Sequence, residues 1–280
     1  MSPIHDQSYR RYGGRRDAPG RAWLVITRNG VMSMVRRRPF LGLMIFAWIP
    51  FIIHAVQFYL AANFAGVSML APTVETFRRF VEWQESFVFF VTIWAGAGLI
   101  ANDRRANALQ IYLAKPLTRT EYIAGKLGVL MFFLLLVTWI PGLLLLFLQI
   151  VFAGNFTFIR GNLYVLPALT LTAFLQALLA SFTMLALSSL SKSSRYVGIL
   201  YAGIVFFTKA IYGVMLLITR STSVSWISFT ANLDQVGDVI FRLPPRYETP
   251  WQVSLLVIIG LIAVSLSVLE RRVRGVEIVT

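Results

Sequence analysis

The sequence predicts an all-α polytopic membrane protein: six transmembrane helices, an N-terminal amphipathic interfacial helix, and a short cytoplasmic helix between spans 2 and 3. Three observations carry this. Hydrophobic residues make up 57% of the 280 and charged residues only 14%, against about 45–50% and about 25% in soluble domains. The apolar residues gather in six long runs, and most basic residues fall in alternate connections between them. Cysteine is absent, which excludes a disulfide framework, thiolate metal sites and a cysteine nucleophile. His5 and His54 are the only histidines, so no metal site is expected.

Residues 1–20, with Gly13, Gly14, Pro19 and Gly20 among basic side chains, read as a disordered basic tail. Residues 21–280 read as one transmembrane domain. Between Arg21 and Arg38, Trp23, Ile26, Met34 and Val35 can share an apolar helical stripe, with Arg28 and Arg36–Arg38 toward its polar side. That pattern suits a helix lying in the headgroup plane; a cytosolic juxtamembrane linker is the plain alternative. Arg37-Arg38-Pro39-Phe40-Leu41 has the spacing of a twin-arginine signal. The apolar run that follows is span-length, unlike the short core of a cleaved signal peptide, so a retained first span is expected.

A hydrocarbon core about 30 Å thick takes about 20 apolar residues per helix. The runs that fit are 40–61, 86–101, 126–152, 163–190, 197–218 and 251–269. Phe80, Val81 and Trp83 are expected to begin the second helix before Ser86. Pro141-Gly142 predicts a kink in the third. Ala95-Gly96-Ala97-Gly98 predicts a close-packing face. The 219–250 loop contains Trp226, Ile227, Phe229, Val236, Val239, Ile240 and Phe241. It is too apolar for a plain solvated loop, so either short interfacial or re-entrant helices or a loop resting on lipid headgroups is expected.

Of the 26 Lys and Arg residues, 19 fall in residues 1–39, 102–126, 191–196 and the tail from Glu270. Six fall in the alternate loops, and Lys209 lies inside the fifth span. The positive-inside rule places both termini and the 102–126 segment in the cytoplasm. The membrane expected is a plasma membrane of the bacterial inner-membrane type. Topology accounts for much of the formal net charge of +14, so no nucleic-acid partner is expected.

The 98–126 segment is polar and basic between two apolar runs. Asn102 or Asp103 can cap a short helix running to about Ala114. In such a helix Arg105, Ala108, Leu109, Tyr112 and Leu113 share one face, with Arg104, Asn107 and Gln110 on the other. Lys115-Pro116-Leu117 ends it. Thr118-Arg119-Thr120-Glu121 has the capping-box pattern, and the next helix runs through Tyr122 and Lys126 into the third span.

Here the chain resembles the permease subunits of type-2 ABC exporters. Their first cytoplasmic loop reads like D-x-x-x-x-x-L-x-x-x-L-x-x-P-[LI]-[ST]-R-x-x-[YF]-x-x-[GA]-K. The matching positions are Asp103, Leu109, Leu113, Pro116, Leu117, Thr118, Arg119, Tyr122, Gly125 and Lys126. The six-span layout and the long outer loop before the last span agree. Arg104-Arg105-Ala106-Asn107-Ala108 departs from the acidic-glycine stretch of many relatives, which bears on which ATPase is the partner. The resemblance implies that 103–114 is a coupling helix docking on an ABC ATPase subunit. Its docking residues would be Asp103, Arg104, Arg105, Ala108, Leu109, Tyr112, Leu113 and Pro116, with Thr118, Glu121, Tyr122 and Lys126 as cap and lever. An interfacial helix that only anchors the loop to lipid is the structural alternative.

The sequence contains no GxxxxGK[ST], HExxH or GxSxG motif. The chain is therefore not expected to be an enzyme or to bind a cofactor itself; ATP and Mg belong to the partner. Six spans are half the usual translocation domain of such exporters, so a second permease copy or a paralogue is expected. Lys209, near the middle of its span, costs about 2.5–3.5 kcal/mol to insert. It is expected to face a translocation path or to bond internally to a carbonyl, Thr208 or Tyr212. His54 and Gln57 are weaker path candidates and read more readily as helix–helix hydrogen bonds. No Asp or Glu falls within the six runs, which weighs against a secondary transporter or channel driven by ion gradients. A non-transport anchor of a maturation complex is the third class. The substrate is not legible.

Overall fold

The structure is a computed structural model that describes residues 21–64, 69–108 and 117–273. All regular structure among them is helical. Six segments are long and apolar enough to cross a membrane: Arg38–Asn63, Val74–Arg105, Arg119–Ala153, Val165–Leu190, Ser194–Thr219 and Trp251–Arg272. The expected disordered tail at 1–20 and the residues after Val273 lie outside the described residues.

Helix α1 (Ala22–Val35) packs along α6 (Arg119–Val137). Gly125 lets the two backbones meet, since a Cβ there would lie 2.7 Å from Ile26 Cβ and 3.0 Å from the Trp23 carbonyl oxygen. Thr27 Oγ1 donates to the Gly125 carbonyl at 3.0 Å. Of the four side chains expected on one stripe, Met34 is buried and Ile26 packs inward, while Trp23 and Val35 are exposed.

The first span is two helices, α2 (Arg38–Phe46) and α3 (Ile49–Asn63). Pro50 has no N–H for the Phe46 carbonyl, which breaks the ladder between them. Gln84 Nε2 donates to the Ala47 carbonyl at that break. The third span breaks in the same way, at Thr138 between α6 and α7 (Trp139–Ala153). The kink expected at Pro141-Gly142 falls one turn earlier because Pro141 withholds its N–H from the Val137 carbonyl.

Helix α4 begins at Val74 and runs to Gly96, earlier than the second run predicts. A reciprocal Thr73–Thr76 capping box starts it. After a turn at 97–100, α5 (Ala101–Arg105) completes this span. Helix α8 (Thr157–Gly161) is a short connection. Helix α9 (Val165–Leu190) is the hub, in contact with α4, α6, α7, α10 (Ser194–Thr219), α11 (Phe229–Ile240) and α12 (Trp251–Arg272). Its buried Ala173, Ala177 and Ala180 permit close approach. Helix α10 is peripheral: only 11% of its apolar window is buried, against 56% for α9.

The 219–250 loop folds into a 3-10 turn at Ser225–Ile227 and helix α11. Ser228 caps α11 by accepting from the Ala231 N–H at 3.3 Å. Residues from Ala231 to Asp238 are all buried. The loop therefore returns into the bundle and does not lie over it.

Candidate functional site

The turn after α4 leads to Asp103, the first position of the loop motif. Ser188 of α9 holds it. Its Oγ accepts from the Ile100 and Ala101 N–H groups at 3.1 and 3.0 Å and donates to the Ala97 carbonyl at 2.9 Å. Backbone groups left open where α4 stops are thus satisfied from a neighbouring span.

Asp103 then faces α6. Its Oδ2 accepts from Tyr122 Oη at 2.7 Å and from Lys126 Nζ at 2.7 Å. Asp103, Tyr122 and Lys126 are three positions of the quoted motif, and the fold brings them to one point. Thr118 and Glu121 form the expected capping box: the Glu121 N–H donates to Thr118 Oγ1 at 3.2 Å, and the Thr118 N–H donates to Glu121 Oε2 at 3.0 Å. A cavity of about 430 Å³ opens beside this cluster, with Asn29, Arg37, Asn102, Asp103, Tyr122 and Lys126 on its wall.

Two expectations are corrected. Neither Asn102 nor Asp103 caps a helix, because α5 starts at Ala101 and Ile100 holds the cap position without a side-chain bond. A continuous 103–114 helix does not form, because Asn107 adopts φ +52°. Asparagine tolerates that left-handed conformation better than most residues. Arg105 and half-buried Ala108 are therefore not successive positions of one helical face. Arg104 donates to the Ser189 carbonyl and Arg105 Nε to the Lys192 carbonyl at 3.1 Å, so both tie the turn to the end of α9. Leu109, Tyr112, Leu113 and Pro116 lie outside the described residues.

The candidates within the spans are scattered. Lys209 is exposed on α10 and pairs with no carboxylate among the described residues. Thr208 is engaged elsewhere, donating to the Ile204 carbonyl at 2.7 Å and accepting from the Phe229 N–H at 3.1 Å. The Tyr212 ring packs edge-on against Tyr247. His54 is buried on α3, with Nδ1 2.8 Å from the Pro50 carbonyl and its ring edge-on to Phe80 and Trp83 of α4. Gln57 Nε2 donates to the Leu70 carbonyl at 3.1 Å.

At the opposite end of the bundle lies an ionic cluster absent from the sequence reading. Arg78 Nε donates to Asp238 Oδ1 at 2.8 Å, and its Nη2 donates to Asp234 Oδ1 at 2.9 Å and to the Asp234 carbonyl at 3.1 Å. Arg246 Nε donates to Asp238 Oδ2 at 2.7 Å, and its Nη1 donates to Glu82 Oε1 at 2.9 Å. Gly237 leaves room for the guanidinium, since a Cβ there would sit 3.0 Å from Arg78 Nε. Burial pushes the Asp234 carboxyl above its ordinary range, although the Arg78 and Arg246 charges pull it down. Burial pushes the Arg246 guanidinium down, but its bonds to Glu82 and Asp238 more than reverse this. Glu85 of α4 faces Asp234 and lines a small cavity of about 40 Å³ with Gln176 and Tyr201. A signal existed: residues 78, 82 and 85 share one helical face, as do 234 and 238.

Comparison of the chain with protein-family models and with curated protein sequences finds no match.

Proposed function

We propose that the chain is the membrane-spanning permease subunit of an ATP-binding cassette exporter, moving its substrate with ATP hydrolysed, with Mg, by a separate subunit. One observation carries the reading: Asp103, Tyr122 and Lys126, distant positions of the loop motif, converge on a single contact at the start of α6. That contact ties Asp103 to the third span, so a push delivered at Asp103 travels along α6. In this reading the α1 end faces the cytoplasm of a bacterial-type inner membrane, and residues 109–116 complete the docking surface. Lys209 supports a second copy or a paralogue, because an exposed mid-span lysine on the peripheral α10 is costly against lipid.

The test is co-purification with an ATPase subunit from the same cells. Leu109→Asp and Leu113→Asp should each abolish it while membrane insertion stays intact. Transport by the isolated chain without any ATPase would overturn the reading. A second reading, transport driven by an ion gradient, draws on Glu85, a carboxylate that the six apolar runs do not contain but α4 does. It requires transport that persists without ATP and is lost in Glu85→Gln.

A further inference from the structure

A second cleft, about 510 Å³, opens between α1, the turn after α4 and the start of α10. It shares Met34, Arg37, Gly98 and Asn102 with the cavity beside Asp103, so the two form one continuous depression. Its chemistry is divided. Ile93, Trp94, Ile199 and Ala202 form an apolar furrow along two spans, and Arg37 and Arg195 stand at its rim. Among the described residues, no carboxylate lines this cleft. Neither arginine makes a side-chain hydrogen bond or ion pair among the described residues. The nearest acid in the adjoining cavity, Asp103, is neutralised by Lys126 at 2.7 Å.

We propose that this cleft binds an anionic phospholipid of the leaflet at the α1 end, with its phosphate between Arg37 and Arg195 and an acyl chain along Trp94, Ile199 and Ala202. Guanidinium forks match phosphate oxygens in geometry as well as charge. The furrow continues from that charge toward the centre of the spans, as an acyl chain does from its headgroup. Arg36 and Arg38 flank Arg37 in sequence but do not line the cleft. They supply a control of equal charge. The inference is independent of the exporter reading, because it needs neither an ATPase nor transport.

Native mass spectrometry of the purified full-length chain, with phosphatidylglycerol, phosphatidylcholine or inorganic phosphate added, tests it. Phosphatidylglycerol should be retained about tenfold more tightly than phosphatidylcholine, and the Arg37→Gln/Arg195→Gln pair should remove that difference. Arg36→Gln/Arg38→Gln should leave it in place. Ala202→Phe, which fills the furrow without changing charge, should also weaken phosphatidylglycerol; it carries the test if the glutamine pair fails to fold. Equal losses from both arginine pairs would reduce the effect to general surface attraction and overturn the site. Displacement of phosphatidylglycerol by an equal concentration of inorganic phosphate would overturn the lipid in favour of a free-phosphate site. A loss of dimer with lipid retention unchanged would make the cleft an interface between copies.

Discussion

Both ends of the bundle are held by arginine or lysine paired with aspartate, yet they are different devices. At the α11 end the Arg78 and Asp238 side chains are each 3% exposed, and Arg246 and Glu82 close the network over them. At the α1 end the Lys126 and Asp103 side chains are 14% and 18% exposed, and the cavity beside them is about 430 Å³, against about 260 Å³ beside Arg78 and Arg246. A buried arginine bonded to two aspartates on another helix braces one arrangement. A half-open pair beside a cleft leaves surface for something else to bind. The proposed function and the proposed lipid site both fall at the open end for this reason.

The largest expected effect separates the two ends. Arg78→Met removes the close counter-charge of buried Asp234 and leaves Asp238 to Arg246 alone, and should cost about 3–5 kcal/mol. Lys126→Met leaves Asp103 its Tyr122 bond and should cost about 1–3 kcal/mol. Denaturant unfolding of the detergent-solubilised protein measures both, and equal losses would erase the contrast.

Next come two changes at the open end. Gly125→Ala drives a methyl against Ile26 and the immobile Trp23 carbonyl, so overpacking should cost about 1–3 kcal/mol. Limited proteolysis should then release α1 before the spans are cut; unchanged protection would show that α1 does not depend on that contact. Ser188→Ala removes the acceptor for two N–H groups, at about 1–3 kcal/mol. Hydrogen exchange should quicken at Ile100 and Ala101 and stay unchanged in α11.

The smallest effect concerns pH at the closed end. The Asp234 carboxyl is held above its ordinary range, so the folded protein keeps a proton that the unfolded chain has already lost. Its contribution to stability is full below the ordinary aspartate range and declines as pH rises through the raised value. Asp234→Asn lacks this decline. The difference in unfolding temperature should therefore move against the wild-type protein as pH rises across that window; a constant difference would reject the account.

Features written in local chemistry were legible. The Thr118–Glu121 box needs only spacing, and the break in the third span needs only a proline. The first turns of α4, from Val74, were not legible as part of a span because Arg78 and Arg79 read as loop residues. Arg78 is buried only because Asp234 and Asp238, about 160 residues away in sequence, arrive on α11 to meet it. The 103–114 helix was overestimated for a related reason. Local propensity favours it, but the bonds of Arg104 and Arg105 to the end of α9 tie the turn before Asn107.

Six apolar runs, alternating basic connections and the loop motif were properties of the chain alone, since hydropathy and charge asymmetry are sums over neighbouring residues. Which polar groups could be buried was decided only by tertiary structure. A charge leaves water at acceptable cost only beside its counter-charge, and the counter-charges of Arg78 and Asp103 lie on other helices.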